Sequence, residues 1–182
     1  MRLPNLVRVS GGALLLALLS GCVPPGAATS PEPTATFVAP YETDEEALAA
    51  AEEAYADYVR VINFHLHESV VDEELLGAVA VGSELDGLIE SHSRLSRNGT
   101  RSVGDVKFGD VKLQRYSRDG SPREIVVIYV CEDLSGVYLV DPEGARVVEE
   151  DFGAELVQVA FDFSEVQESL LISDRTPWGR SC

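Results

Sequence analysis

Glu124-Ile125-Val126-Val127-Ile128-Tyr129-Val130-Cys131 (EIVVIYVC) decides the fold of this chain. Past Glu124 it is apolar without a break and rich in β-branched residues, so neither face of an extended segment is made for water. Such a run is predicted to be the central, most buried strand of a sheet. Just upstream, Val106 and Phe108 alternate with polar neighbours, and so do Val111 and Leu113, but the two pairs are out of phase by one residue. Gly109-Asp110 sits at the mismatch, where a β-bulge restores inward-facing side chains and bends the strand. Asp119-Gly120 marks a hairpin turn into the central strand. Downstream, Ser135-Gly136 turns the chain into Val137 to Val140, and Leu156 to Phe163 with Ser169 to Ser173 reads as a final hairpin.

The first half has a different period. Thr43-Asp44-Glu45-Glu46 is a capping box, followed by an apolar stripe at Leu48, Ala51, Tyr55, Tyr58 or Val59, Ile62 and Leu66. Spacings of three and four with acids in the first turn predict a long amphipathic helix. A second helix starts near Asp72 and covers Leu75, Leu76 and Val79. A third is capped at Ser83-x-x-Asp86, with a stripe of Leu85, Leu88, Ile89, His92 and Leu95 and a stop at Gly99. Helices followed by strands, with no internal repeat, argue for an α+β domain.

Ahead of this domain lie two further segments. Arg2 and Arg8 precede an apolar run, Gly11 to Leu19, far shorter than the ~20 residues that span a bilayer. It reads as a signal-peptide core, and the Leu19-Ser20-Gly21-Cys22 that closes it resembles the lipobox of bacterial lipoproteins. The resemblance implies cleavage after Gly21 and diacylglycerol on Cys22. Small residues at these positions also suit an ordinary secretory signal, but the cysteine directly after them, with Pro24 following, favours the lipoprotein. Residues 22–42 hold Pro24, Pro25, Pro31, Pro33 and Pro40 among Ser and Thr, which predicts a disordered tether reaching ~25 Å as a coil and ~60 Å as polyproline. The expected division is therefore a signal at 1–21, a lipidated tether at 22–42 and one folded domain at 43–182. Its place is the cell membrane, facing outside the cytoplasm.

The chain carries 14 basic and 31 acidic residues. Loss of Arg2 and Arg8 with the signal leaves 12 against 31, a formal charge of −19 in place of −17. No cluster of Lys and Arg is left to track a phosphate backbone, which argues against nucleic acid as a partner. An anionic membrane repels such a surface, so a lipid anchor matters more; solubility outside the cell also accounts for the acidity.

The helical first half, the bent strand near Phe108, the segment YVCEDLSGV (Tyr129 to Val137) and the Trp178…Cys182 end resemble actinobacterial lipoproteins of the nuclear transport factor 2-like superfamily. The resemblance runs from Thr43 to Cys182. It implies a cone-shaped fold in which three N-terminal helices back a strongly curved antiparallel sheet. The excess of Arg over Lys suits a high-GC genome.

With Cys22 lipidated, Cys131 and Cys182 remain in an oxidising compartment, where one pair has one connectivity. A bridge is expected to pin the tail and to hold Trp178 against the sheet; the alternative is two buried thiols. No Cys-x-x-Cys is present to suggest redox catalysis. His65 and His67 are two apart on a helix end and diverge, and His92 packs or caps, so no metal site is expected. Enzymes of the resembled superfamily, such as ketosteroid isomerases and polyketide cyclases, bring a Tyr and Asp or His side chains together inside the cone. Here Tyr55, Tyr58 and Asp162 are the side chains such a site would draw on, but no motif assigns them a catalytic role. Two readings stay open. The favoured one is a membrane-tethered, non-catalytic module that binds a small ligand or a surface protein, with neither cofactor nor metal. The other is a cofactor-independent isomerase, dehydratase or cyclase using a Tyr–carboxylate pair.

Overall fold

The computed structural model describes residues 37–120, 123–147, 152–179 and Cys182. The signal segment, Cys22 and the tether up to residue 36 lie outside the described residues. Thr43 caps helix α1 (Asp44–Glu68) by accepting the Glu46 amide at 3.1 Å, while the Glu46 carboxylate turns back to the amide of Glu42 at 2.9 Å. The box thus closes one residue upstream of the cap and satisfies two donors at the helix start. Asp72 caps the short helix α2 (Glu73–Gly77), its carboxylate accepting from the amides of Glu74 and Leu75.

Helix α3 (Gly82–Arg97) departs from the sequence pattern, since it starts after Val81 with no side-chain cap. Its start is set by the main chain instead. The Val81 amide donates to Ile172 O at 2.8 Å and the Ile172 amide to Val79 O at 3.0 Å, stitching the α2–α3 link to a late strand. Gly99, at φ +64, ends the helix as expected.

Among the described residues six strands follow: β1 (Arg101–Val103), β2 (Lys107–Tyr116), β3 (Val126–Asp133), β4 (Tyr138–Val140), β5 (Ala154–Ser164) and β6 (Ser169–Gly179). β1 and β4 pair by themselves, and the other four form an antiparallel sheet in the order β2-β3-β5-β6. The fold class is α+β, with the helices preceding the strands. Gly104, at φ +82, passes so close to the β3–β4 turn that a Cβ there would stand 2.1 Å from Gly136 O. The EIVVIYVC stretch becomes β3, flanked on both sides, with Val126, Ile128 and Val130 fully buried. These side chains meet Val157, Val159 and Phe161 of β5 and the Ala51, Tyr55 and Val59 face of α1 in one apolar core. Lys107 and Lys112 lie exposed on β2, at the sheet edge, where charge discourages pairing with another chain.

The strands are longer or shorter than their apolar runs suggest. The final hairpin does not stop at Ser173; β6 continues through Pro177 to Gly179. β6 is an edge strand, so a proline with no N–H is tolerated there. The edge strands β2 and β6 each have two register shifts, and one in each decides which side chains face the helices around the core. In β2, Gly109 pairs with Cys131 and Lys112 with Tyr129, so β2 carries an extra residue at the Gly109-Asp110 step, with Asp110 at φ +51. In β6, Ile172 pairs with Phe161 but Asp174 with Ala160, so Ser173 is the extra residue.

Cys131 and Cys182 are joined by a disulfide with an S–S distance of 2.02 Å and Cα atoms 5.8 Å apart. Closing a loop with a separation of 51 residues contributes about 4 kcal/mol in the chain-entropy account. Trp178 is not part of the core: it is 61% exposed and rests against Tyr129 with ring centroids 5.7 Å apart. Among the described residues, no helix is long and apolar enough to cross a membrane.

Candidate functional site

Alternation along β3 sends Val126, Ile128 and Val130 toward the helices, and the next residue in that series is Glu132, buried at 2% exposure. An acid in this position must be paired. Its main partner comes from β6: the extra residue Ser173 reverses the alternation there, and Arg175, paired with Val159, faces inward. Arg175 Nε donates to Glu132 Oε1 at 2.8 Å and its Nη2 to Glu132 Oε2, a two-point grip. Glu155 Oε1 lies 3.5 Å from the same Nη2. Burial works against the Arg175 charge, but the hydrogen bonds and charge of Glu132 outweigh it and hold the cation above the ordinary arginine range.

Two tyrosines of α1 complete the group. Tyr55, fully buried, donates its hydroxyl to Glu132 Oε1, and Tyr58 donates to Glu84 Oε1 of α3 at 2.8 Å. The two rings stack with centroids 5.7 Å apart. Burial first, then the Glu132 carboxylate, push the Tyr55 hydroxyl well above the usual tyrosine range; burial and Glu84 do the same to Tyr58. Glu84 is itself raised by burial, against the opposing hydrogen bond from Tyr58. These hydroxyls therefore hold their protons and spend them on the two carboxylates.

Over this polar floor lies a cavity of about 230 Å³ between α1, α3 and the sheet. Val59, Ile62 and Leu66 of α1, Leu88 of α3, Val106 and Leu134 give it apolar walls, and Tyr58, Ser91, His92, Glu132 and Arg175 bring polar atoms. Asn63 fastens the Val106 wall to α1, donating to Val106 O at 3.0 Å and accepting from Val106 N at 2.9 Å. A larger groove of about 380 Å³, beside Tyr41, Glu53, Asp57 and Glu168, lies away from these groups and brings together no such polar constellation.

The sequence candidates fall into two sets. Tyr55 and Tyr58 come together at the cavity floor. Asp162 does not join them: it alternates away from the inward Phe161 and forms an ion pair with the exposed Arg123 at 3.0 Å. The carboxylates beside the tyrosines are Glu132 and Glu84. Both carry a sequence signal, Glu132 through its place in the β3 alternation and Glu84 through its spacing of four from Leu88 and eight from His92 on α3. Arg175 carries none, because unbroken alternation from Leu170 and Ile172 points it outward. His65 and His67 share no partner. His65 contacts Val61 O through Nδ1 at 2.8 Å and accepts the Asp72 amide through Nε2 at 3.1 Å, while His67 contacts Gly104 O at 2.9 Å. No group of three or more His, Cys, Asp or Glu arranged to hold a metal occurs among the described residues.

The arrangement defines an α+β domain with an apolar cavity over a buried, internally paired Glu–Arg floor. The crystal structure of the intermembrane space region of the chloroplast protein ARC6 has the same fold, at a TM-score of 0.56 and 14% identity over 76% of this chain and 99% of that one. That likeness speaks to fold alone. No family model and no curated protein matches the sequence.

Proposed function

We propose that this chain is a lipoprotein anchored to the cell membrane through Cys22, carrying outside the cytoplasm a non-catalytic domain of the nuclear transport factor 2-like kind that binds a small ligand in its cone. The observation that carries the binding role is the mutual engagement of the floor. Glu132 is gripped at two points by Arg175 and receives the Tyr55 hydroxyl, while Tyr58 is spent on Glu84. Glu132 already accepts three hydrogen bonds and both tyrosine hydroxyls donate to carboxylates, so the floor groups are engaged chiefly with one another and not poised for proton transfer. Apolar walls above a satisfied floor suit recognition.

A second reading, a cofactor-independent isomerase, dehydratase or cyclase, is favoured by one observation, the Tyr55–Glu132 contact itself. Turnover assays separate the two. The binding role expects no conversion of ketosteroid-like or polyketide-like test substrates. Wild-type turnover that collapses in Tyr55→Phe or Glu132→Gln transfers the assignment to an enzyme. For the anchor, mass spectrometry of membrane-extracted protein is expected to find diacylglyceryl on Cys22. Full recovery of Cys22→Ser in the membrane fraction contradicts it.

A further inference from the structure

One polar side chain of the cavity is left without a protein partner. His92 is 4% exposed, lines the cavity and lies against His65 with ring centroids 5.4 Å apart. Its ring nitrogens hydrogen-bond to no other described residue, although buried polar groups are almost always paired. His65 next to it shows the ordinary case, with both nitrogens engaged. Among the described residues, the sealed side-chain atoms that lack a partner are Ser102 Oγ and Arg115 Nε. The His92 nitrogens are not among these sealed atoms, and the ring lines the cavity.

Burial, then the neighbouring His65, hold His92 down to about 4. It thus meets the cavity as a neutral ring, with one N–H donor and one acceptor nitrogen. The cation of the floor, Arg175, is already engaged by Glu132 with Glu155 beside it. An anion entering here finds no free cation, and a cation meets carboxylates already engaged by Arg175 and Tyr58. Size narrows the choice further. A cavity of ~150 Å³ accepts a benzene ring, and drug-sized ligands occupy ~300–1,000 Å³; about 230 Å³ lies between.

Resting on the reading of this cavity as a ligand site, we propose that it takes a neutral single-ring or short-chain molecule with one hydroxyl or carbonyl, whose oxygen hydrogen-bonds to His92. The apolar body of such a ligand lies along Val59, Leu88 and Val106. His92 then acts as the residue that selects for oxygen and against charge.

The test titrates the full chain in lipid nanodiscs with toluene, benzyl alcohol, benzoate and benzylammonium, reading the methyl NMR signals of Val59, Leu88 and Val106. Benzyl alcohol is expected to bind about tenfold tighter than toluene, the worth of one hydrogen bond, and both ions more weakly than either. The margin should vanish in His92→Phe, which keeps the ring shape, and survive in His92→Gln, which keeps a donor and an acceptor. Equal affinity for toluene and benzyl alcohol in the wild type overturns the proposal while leaving a ligand site, as does tightest binding of benzoate. If no probe moves the three methyl signals, the cavity is not a ligand site and the proposed function falls with this inference. The wild-type series decides on its own, whether or not either variant folds.

Discussion

β2 and β6 are the two edges of the sheet, and each carries, beside a second register shift nearer its end, an extra residue that reverses which side chains face the helices. In β2 the reversal comes at Gly109-Asp110 and keeps apolar side chains inward on both sides, Phe108 before it and Val111 and Leu113 after it. In β6 the reversal comes at Ser173 and changes the chemistry of the inner face, from Leu170 and Ile172 to Arg175. The same backbone device thus preserves a core at one edge and places a cation at the other. A bulge is a means of re-aiming side chains, and its effect depends on the residues beyond it. At β6 the consequence is the Glu132–Arg175 pair, and with it the floor of the cavity.

The sharpest way to break this contrast is to shift β6 by one more residue. Ile172, Asp174 and Arg175 already pair in step with Phe161, Ala160 and Val159, so one glycine inserted between Asp174 and Arg175 turns Arg175 outward and leaves Glu132 buried with no cation. The expected loss is at least about 3–5 kcal/mol in denaturant unfolding, the range for a buried pair that loses one partner. A loss below about 1 kcal/mol means that the Arg175–Glu132 pair does not depend on the register of β6.

A second test comes from the helix side of the cavity, where His92 faces His65 across from Glu132, Arg175 and Tyr58. With His92 held at about 4, below its ordinary value of 6.5, the unfolded chain binds a proton between these two values that the folded chain refuses. Stability from this group is complete above about pH 6.5 and is lost as the pH falls toward about 4. Glu84, raised by burial, works with the opposite sign, its contribution fading as the pH rises. The wild type should therefore lose more stability than His92→Phe as the pH drops through that window. Parallel curves contradict the neutral, buried imidazole.

The smallest effect belongs to β2. Asp110 sits at φ +51, where a side chain costs up to about 1 kcal/mol and glycine does not. Asp110→Gly is expected to leave stability unchanged or raise it by up to that amount. A loss of about 1 kcal/mol or more means that the Asp110 side chain itself holds the bulge.

The two bulges also show what the amino-acid order makes legible. The one in β2 is readable because apolar residues flank it and slip by one, and because glycine marks the step. The one in β6 has apolar residues on one side only; beyond Ile172 come Ser, Asp, Arg and Thr, and nothing polar betrays a change of phase. The long α1 and the central β3 are readable for the opposite reason, since each repeats one period over many residues. The start of α3 is not, because it is fixed by hydrogen bonds to Ile172, some ninety residues away in the chain. In the site, Tyr55 and Tyr58 stand out from their stripe, and Glu132 is available to anyone who traces β3 two residues past Val130. Asp162 attracts notice as an acid on a late strand, yet alternation after Phe161 already turns it to the other face.

The central claim is that Arg175 and Glu132 act as one unit beneath the cavity, and a double-mutant cycle tests it most directly. Glu132→Gln, Arg175→Met and the double variant are compared with the wild type by denaturant unfolding at neutral pH. Both charges are largely withdrawn from water, with side-chain exposures of 3% for Glu132 and 23% for Arg175. Each single change is expected to cost about 3 kcal/mol, because it strands the other partner. The double variant should cost far less than their sum, a coupling of about 2–3 kcal/mol. Additivity within about 0.5 kcal/mol would show that the two side chains do not hold each other, and the account of the site would be wrong.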